Sequence, residues 1–125
     1  MANQPRVMVV DDDENILSAF EDFLTKENCE IIAETNAEEA FAHFTDKRVD
    51  VLITDIRVKL HSGITLLLQV RATHPHVPTI VITGHPDVIT EKDVIRYGAD
   101  YYFLKPLELD KLRLALRECL HMTTR

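Results

Sequence analysis

Val49-Asp50-Val51-Leu52-Ile53-Thr54 runs straight into Asp55, and how that stretch is read decides the fold. Its apolar centre is too short for a helix of ordinary length. It also lacks the strict polar–apolar alternation of a strand with one wet face. A short, continuously apolar run bounded by a polar turn is the mark of a strand covered on both sides, as in a parallel sheet.

Outward from it the same kind of segment recurs. Val7-Met8-Val9-Val10, Glu30–Glu34 with its Ile31-Ile32-Ala33 centre, Thr79–Thr83 and Tyr101–Leu104 all read as strands. Between them the period changes. Ile16, Leu17, Phe20, Phe23 and Leu24 fall on one helical face, with Asp13 as N-cap and acidic residues at the positive end of the helix. Asn36 caps a second helix through about Thr45, with Ala37, Ala40, Phe41 and Phe44 inward. Ser62–Thr73 is a third, with Ile64, Leu67, Leu68 and Arg71 along its stripe, stopped at His74-Pro75. Asp87–Tyr97 closes at Gly98, a suitable residue just past a helix end. Leu109, Leu112, Leu116, Cys119 and Leu120 mark the last. Five apolar strands alternating with five amphipathic helices predict an α/β, doubly wound parallel sheet.

The bulk properties set bounds. A chain of 125 residues, 46% hydrophobic and 28% charged, has the size and composition of one globular domain. A formal net charge of −7 argues against a surface that grips nucleic-acid phosphates, so no direct nucleic-acid binding is expected. No run is long enough to span a bilayer, and the N-terminus shows no signal-peptide pattern. Two cysteines 90 positions apart, Cys29 and Cys119, predict reduced core thiols and a cytoplasmic location.

In a doubly wound sheet, ligands sit beyond the carboxyl ends of the strands. Those positions hold Asp11, Asp12 and Asp13 after the first strand, Asp55 after the third, Thr83 at the end of the fourth and Lys105 after the fifth. Clustered carboxylates repel one another unless a cation offsets them, and hard oxygen donors attended by water suit Mg²⁺, with Mn²⁺ as a substitute. A metal so held can bridge a carboxylate and a phosphoryl oxygen. Lys105 adds a second positive charge, Thr83 a hydroxyl donor, and Asp55, on the middle strand, is the candidate nucleophile. Asp13 reads as the helix cap rather than a ligand.

Val9-Val10-Asp11-Asp12-Asp13, Ile53-Thr54-Asp55-Ile56-Arg57, Val81-Ile82-Thr83-Gly84 and Phe103-Leu104-Lys105-Pro106 resemble the four signature blocks of response-regulator receiver domains of two-component signalling. They come in that family's order and approximate spacing. The likeness spans about residues 6–121, within a single domain taken as 1–125. It implies a flavodoxin-like, or CheY-like, sheet in the order 2-1-3-4-5. It also implies that Asp55 is the phosphoacceptor, that Asp12 is a direct metal ligand, and that Asp11 acts largely through metal-bound water. The main-chain carbonyl of Arg57 is implied as a further ligand. Thr83 would bond a phosphoryl oxygen, Lys105 would pair with Asp55 or its phosphate, and Tyr102 matches the aromatic switch position. Lys105-Pro106 resembles a block whose peptide bond is cis in the family. The partners implied are a sensor histidine kinase or phosphotransfer protein, and an output domain or separate effector. That output is controlled through the last two helices and the strand between them, and homodimerisation on phosphorylation is a further expectation.

One block departs from the pattern. Where family members commonly read Asp-x-x-Met-Pro before a glycine, this chain has Val58 and Lys59, with Gly63 keeping its place. The substitution takes away proline's rigidity and brings a cation near the site, so Lys59 is expected to tune the chemistry. His85, two residues past Thr83, is expected to tune dephosphorylation. The module is expected to be a signalling phosphoacceptor and not an enzyme in the ordinary sense. The alternatives are a pseudo-receiver that binds a protein without being phosphorylated, or an aspartyl-phosphate phosphohydrolase. A flavodoxin-like cofactor module is opposed by the four consecutive acids Asp11–Glu14, which would repel a phosphate.

Overall fold

The computed structural model describes residues 4–58, 61–84 and 91–123. Five parallel strands, β1 (Arg6–Val10), β2 (Glu30–Glu34), β3 (Val51–Asp55), β4 (Thr79–Thr83) and β5 (Tyr101–Leu104), form one sheet in the order 2-1-3-4-5. The helices α1 (Glu14–Lys26), α2 (Ala37–Asp46), α3 (Gly63–Thr73), α4 (Glu91–Arg96) and α5 (Leu109–Thr123) lie between and after the strands. A two-residue antiparallel ladder, Arg57–Val58 against His61–Ser62, joins β3 to α3. This is the predicted flavodoxin-like architecture.

The absence of alternation in the strands has a direct cause. Val7, Val9, Val51, Ile53, Ile80 and Ile82 face a core shared with Leu17, Phe20, Phe23 and Leu24 of α1 and Leu112, Leu116 and Cys119 of α5. Their neighbours Met8, Val10 and Leu52 face Ala37, Ala40 and Phe44 of α2 and Leu66 and Val70 of α3. Both faces of β1, β3 and β4 are dry, so their central positions are apolar, whereas β2 and β5 at the sheet edges are partly exposed. A third, smaller cluster joins Ile56 and Val81 to Leu67, Val94 and Ala99, with Tyr102 packed against it. Cys29 and Cys119 are both free and buried, as expected.

The caps are those foreseen. The Asp13 carboxylate accepts from the backbone N–H of Asn15, and Asn36 accepts from Glu38 and Glu39. Gly98 has φ +112, which suits glycine at a helix end. Three expectations need correction. The third strand begins at Val51, two residues late; just before it the Asp50 carboxylate accepts from the Arg6 N–H and the Asp50 N–H donates to the Arg6 carbonyl, both at 2.8 Å. The buried face of α3 is Gly63, Leu66, Leu67 and Val70, whereas Leu68 is 46% exposed and Arg71 turns to the loop after α4. The third helix, expected from Ser62, begins at Gly63, since Ser62 pairs with Arg57 in the two-residue ladder. Of the helix expected over 87–97, Glu91–Arg96 is observed and residues 87–90 lie outside the described residues. No described helix is long and apolar enough to cross a membrane.

Candidate functional site

Strand register brings the chemical groups to one rim. Val10 pairs with Thr54, so Asp11 and Asp55, one step further on, emerge side by side. Asp55 pairs with Ile82, which sets Thr83 level with Ile56, and Thr83 pairs with Leu104, just before Lys105. Backbone bonds fix these ends: Asp11 N–H to the Glu34 carbonyl at 3.0 Å, Ile56 N–H to Ile82 at 3.1 Å, and Lys105 N–H to Thr83 at 2.8 Å. The Lys105–Pro106 peptide bond is cis.

The Lys105 ammonium reaches across the rim and donates to Oδ2 of Asp55 at 2.6 Å and to Oδ2 of Asp11 at 2.8 Å. Asp11 and Thr83 are fully buried, and Asp55 is 5% exposed. Burial pushes the Asp11 carboxyl above the usual carboxylate range. The Lys105 contact and a 2.9 Å bond from the Asp13 N–H to its Oδ1 pull the other way, and the Asp55 charge adds to the upward push. Burial also lowers the Lys105 pKa, but the hydrogen bonds and charges of Asp11 and Asp55 together outweigh it, so the ammonium is held above its ordinary value. Lys105 is thus a firmly protonated clamp between two carboxylates.

The loop after Asp55 is held close. Gly63 donates to the Ile56 carbonyl at 2.6 Å, and a Cβ at position 63 would lie 1.8 Å from the Asp55 carbonyl oxygen. This is why a glycine is kept there although the residues before it depart from the family pattern. The Arg57 backbone pairs with Ser62 in the short ladder beside the rim. Tyr102 is half-buried against the third core cluster, and burial together with the Glu91 charge raises its phenol pKa. Lys59 and His85 lie outside the described residues.

The structure therefore brings together Asp11, Asp55 and Lys105, with Thr83 on the adjoining strand end. Asp12 is exposed, and among the described residues no three His, Cys, Asp or Glu side chains converge as a ready-made ligand group. The donor set still fits a hard divalent cation. Asp11, Asp12 and Asp55 against Lys105 leave a formal double negative charge, which a divalent cation would offset. A magnesium ion usually keeps several waters and takes only one or two protein carboxylates, a demand that the acidic side chains at this rim fit.

Two features went unread in the sequence. Glu34, buried at the end of β2, pairs with His43 of α2, although His43 shows no ligand spacing. The signal was a charged residue closing an otherwise apolar strand. Arg71, placed inward by its period, instead bonds Gly98 and Asp100. Its signal was a cation on the apolar stripe of a helix, which seldom stays unpaired.

Comparison with known proteins agrees with this geometry. Residues 7–117 match the family model described as the response regulator receiver domain. The chain is 30% identical over 117 residues to the regulatory protein AtoC of Escherichia coli, covering 94% of this chain and 25% of that protein. It is 34% identical over 105 residues to the DNA-binding transcriptional regulator NtrC of Salmonella typhimurium, covering 84% and 22%. It thus spans about a quarter of the length of such relatives. Among solved structures, a receiver domain protein (CheY-like) from Methanospirillum hungatei JF-1 superposes with TM-score 0.88 at 25% identity, covering 98% of both chains. The receiver domain of NtrX from Brucella abortus gives 0.85 at 29% identity, covering 92% of this chain and 98% of that one.

Proposed function

The chain belongs to the response regulator receiver domain family of two-component signalling, and on that premise we propose that Asp55 accepts a phosphoryl group from a histidine kinase. The observation that carries the proposal is the Lys105 ammonium bonded at once to Asp55 and Asp11, 2.6 and 2.8 Å away. It orients the Asp55 carboxylate at the open end of the sheet.

In this reading an Asp55 oxygen attacks phosphorus in line, the P–N bond to the donor imidazole breaks, and an acyl phosphate forms. Magnesium, held by Asp12, Asp55, the Arg57 carbonyl and, through water, Asp11, would neutralise charge on the phosphoryl oxygens; manganese would substitute. Lys105 transfers one of its hydrogen bonds to a phosphoryl oxygen, and the Thr83 hydroxyl donates to another. Drawing Thr83 toward the phosphate opens room at β4, into which Tyr102 turns, and the surface of α4, β5 and α5 changes with it. This is a population shift driven by a local change of charge. Lys59 and His85 tune the lifetime of the phosphate.

The two relatives described above, a regulatory protein and a DNA-binding transcriptional regulator, are about four times its length. We therefore assign residues 1–125 to one cytoplasmic receiver domain that controls an output domain or a separate effector, with pairing of two copies as one route of control. Incubation with acetyl phosphate and Mg²⁺ tests the phosphoacceptor role. One phosphoryl group per chain is expected, lost on chelation of the metal and in Asp55→Asn. Undiminished incorporation in Asp55→Asn overturns the assignment, and no incorporation by the unaltered chain favours a pseudo-receiver.

A further inference from the structure

The C-terminal end of α4 is tied firmly to the rest of the molecule. Of its side chains only Val94 is buried. Past its C-terminal end, however, the chain is tied on every side. The N–H groups of Tyr97, Gly98 and Ala99 close the helix onto Asp93, Ile95 and Val94. Arg71 of α3 then donates from Nε to the Gly98 carbonyl at 2.7 Å and from its terminal nitrogens to the Pro75 carbonyl at 2.6 Å and the Asp100 carboxylate at 2.7 Å. Asp100 in turn accepts from the Thr79 N–H and donates its own N–H to the Thr79 carbonyl, both at 2.9 Å. The Arg71 stem lies so close over Gly98 that a Cβ there would meet it at 2.8 Å. A planar guanidinium with three acceptors in fixed directions is a stiff tie, which a lysine cannot reproduce.

Glu91, the first described residue of α4, borders a hollow. Glu91, Tyr102, Lys105 and Lys111 are among the residues lining a surface hollow of about 450 Å³. The Glu91 charge is near enough to Tyr102 to act on its phenol.

We propose that the Arg71 tie to Gly98 and Asp100 makes the loop 97–100 a fixed pivot, so that α4 rearranges at its Glu91 end, into the hollow beside Tyr102. The direction of the response is thereby set by a residue remote from the rim. This rests on the phosphoacceptor reading only for what drives the motion; the pivot is a property of the chain with or without a phosphoryl group.

Two measurements on the same protein test it separately. In native-state amide exchange without any phosphoryl analogue, Arg71→Gln is expected to speed exchange at Ala99 and Asp100 at least tenfold while leaving the β1 and β3 amides unchanged. Arg71→Lys is expected to restore little of that protection. Asp100→Asn, which keeps an acceptor for Thr79, serves if Arg71→Gln does not fold. Protection at 99–100 equal to that of the unaltered chain overturns the pivot. In amide NMR spectra with beryllofluoride and Mg²⁺, shifts are expected at 91–95 and 102 with 98–100 still in place, and in Arg71→Gln at all of them. Equal shifts at 98–100 in the unaltered chain also overturn it. If beryllofluoride moves nothing anywhere, the phosphoacceptor reading fails, and the exchange result alone decides the pivot.

Discussion

Asp11 is a fully buried carboxylate whose pKa is raised by that burial, in spite of the Lys105 contact. The folded state therefore holds its proton more tightly than the unfolded chain does. Stability carried by this group is present at low pH and is lost as pH rises from the ordinary carboxylate range through the raised folded value. At neutral pH the site holds unfavourable charge, as functional sites commonly do. Asp11→Asn is expected to stabilise the metal-free protein at pH 7 by about 1 kcal/mol, measured by urea unfolding, and to flatten its stability profile in that window. The gain should shrink when Mg²⁺ is added, since only the unaltered site then gains from binding. Gly63 gives the opposite expectation. A methyl at 1.8 Å from the Asp55 carbonyl oxygen forces the backbone apart. Gly63→Ala should cost about 3 kcal/mol and slow phosphoryl uptake, by the same unfolding assay and by labelling; an unchanged midpoint would contradict that close approach.

Among the elements, α1 begins at Asp13, whose carboxylate bonds the Asn15 N–H at 2.9 Å. Asp13→Ala should cost about 1 kcal/mol of stability and leave Mg²⁺ affinity unaltered in calorimetric titration. A marked loss of affinity would make Asp13 a ligand and not a cap. Strands and caps were legible because each rests on a local rule: dry faces demand apolar runs, and orphan N–H groups demand a side-chain acceptor. The inward face of α3 was not. Ile64, Leu66, Leu67, Leu68 and Val70 make that helix apolar around much of its girth, so the period does not choose a face. The choice is made by Gly63, whose close approach to Asp55 fixes the rotation of the helix. Arg71 is misplaced for the same reason, and two of its three partners lie 27 and 29 residues away, beyond the reach of any local pattern.

Across the whole molecule, the sheet order and the parallel register turn five sequence-distant strand ends into one rim, and this is why the site could be anticipated from positions following apolar runs. What strand ends do not give is which side chains touch. Lys105 was expected on Asp55 or its phosphate, and it bridges Asp55 and Asp11, 50 and 94 residues away in the chain. The proposal for this pair is specific: Asp55 is the nucleophile and Asp11 its electrostatic neighbour. The most direct test is to phosphorylate the protein with acetyl phosphate and Mg²⁺, reduce the acyl phosphate with borohydride, and map the modified residue by mass spectrometry of its peptides. Homoserine at position 55 and at no other position is the predicted result. Homoserine at position 11, or modification spread over Asp11, Asp12 and Asp55, would contradict the account.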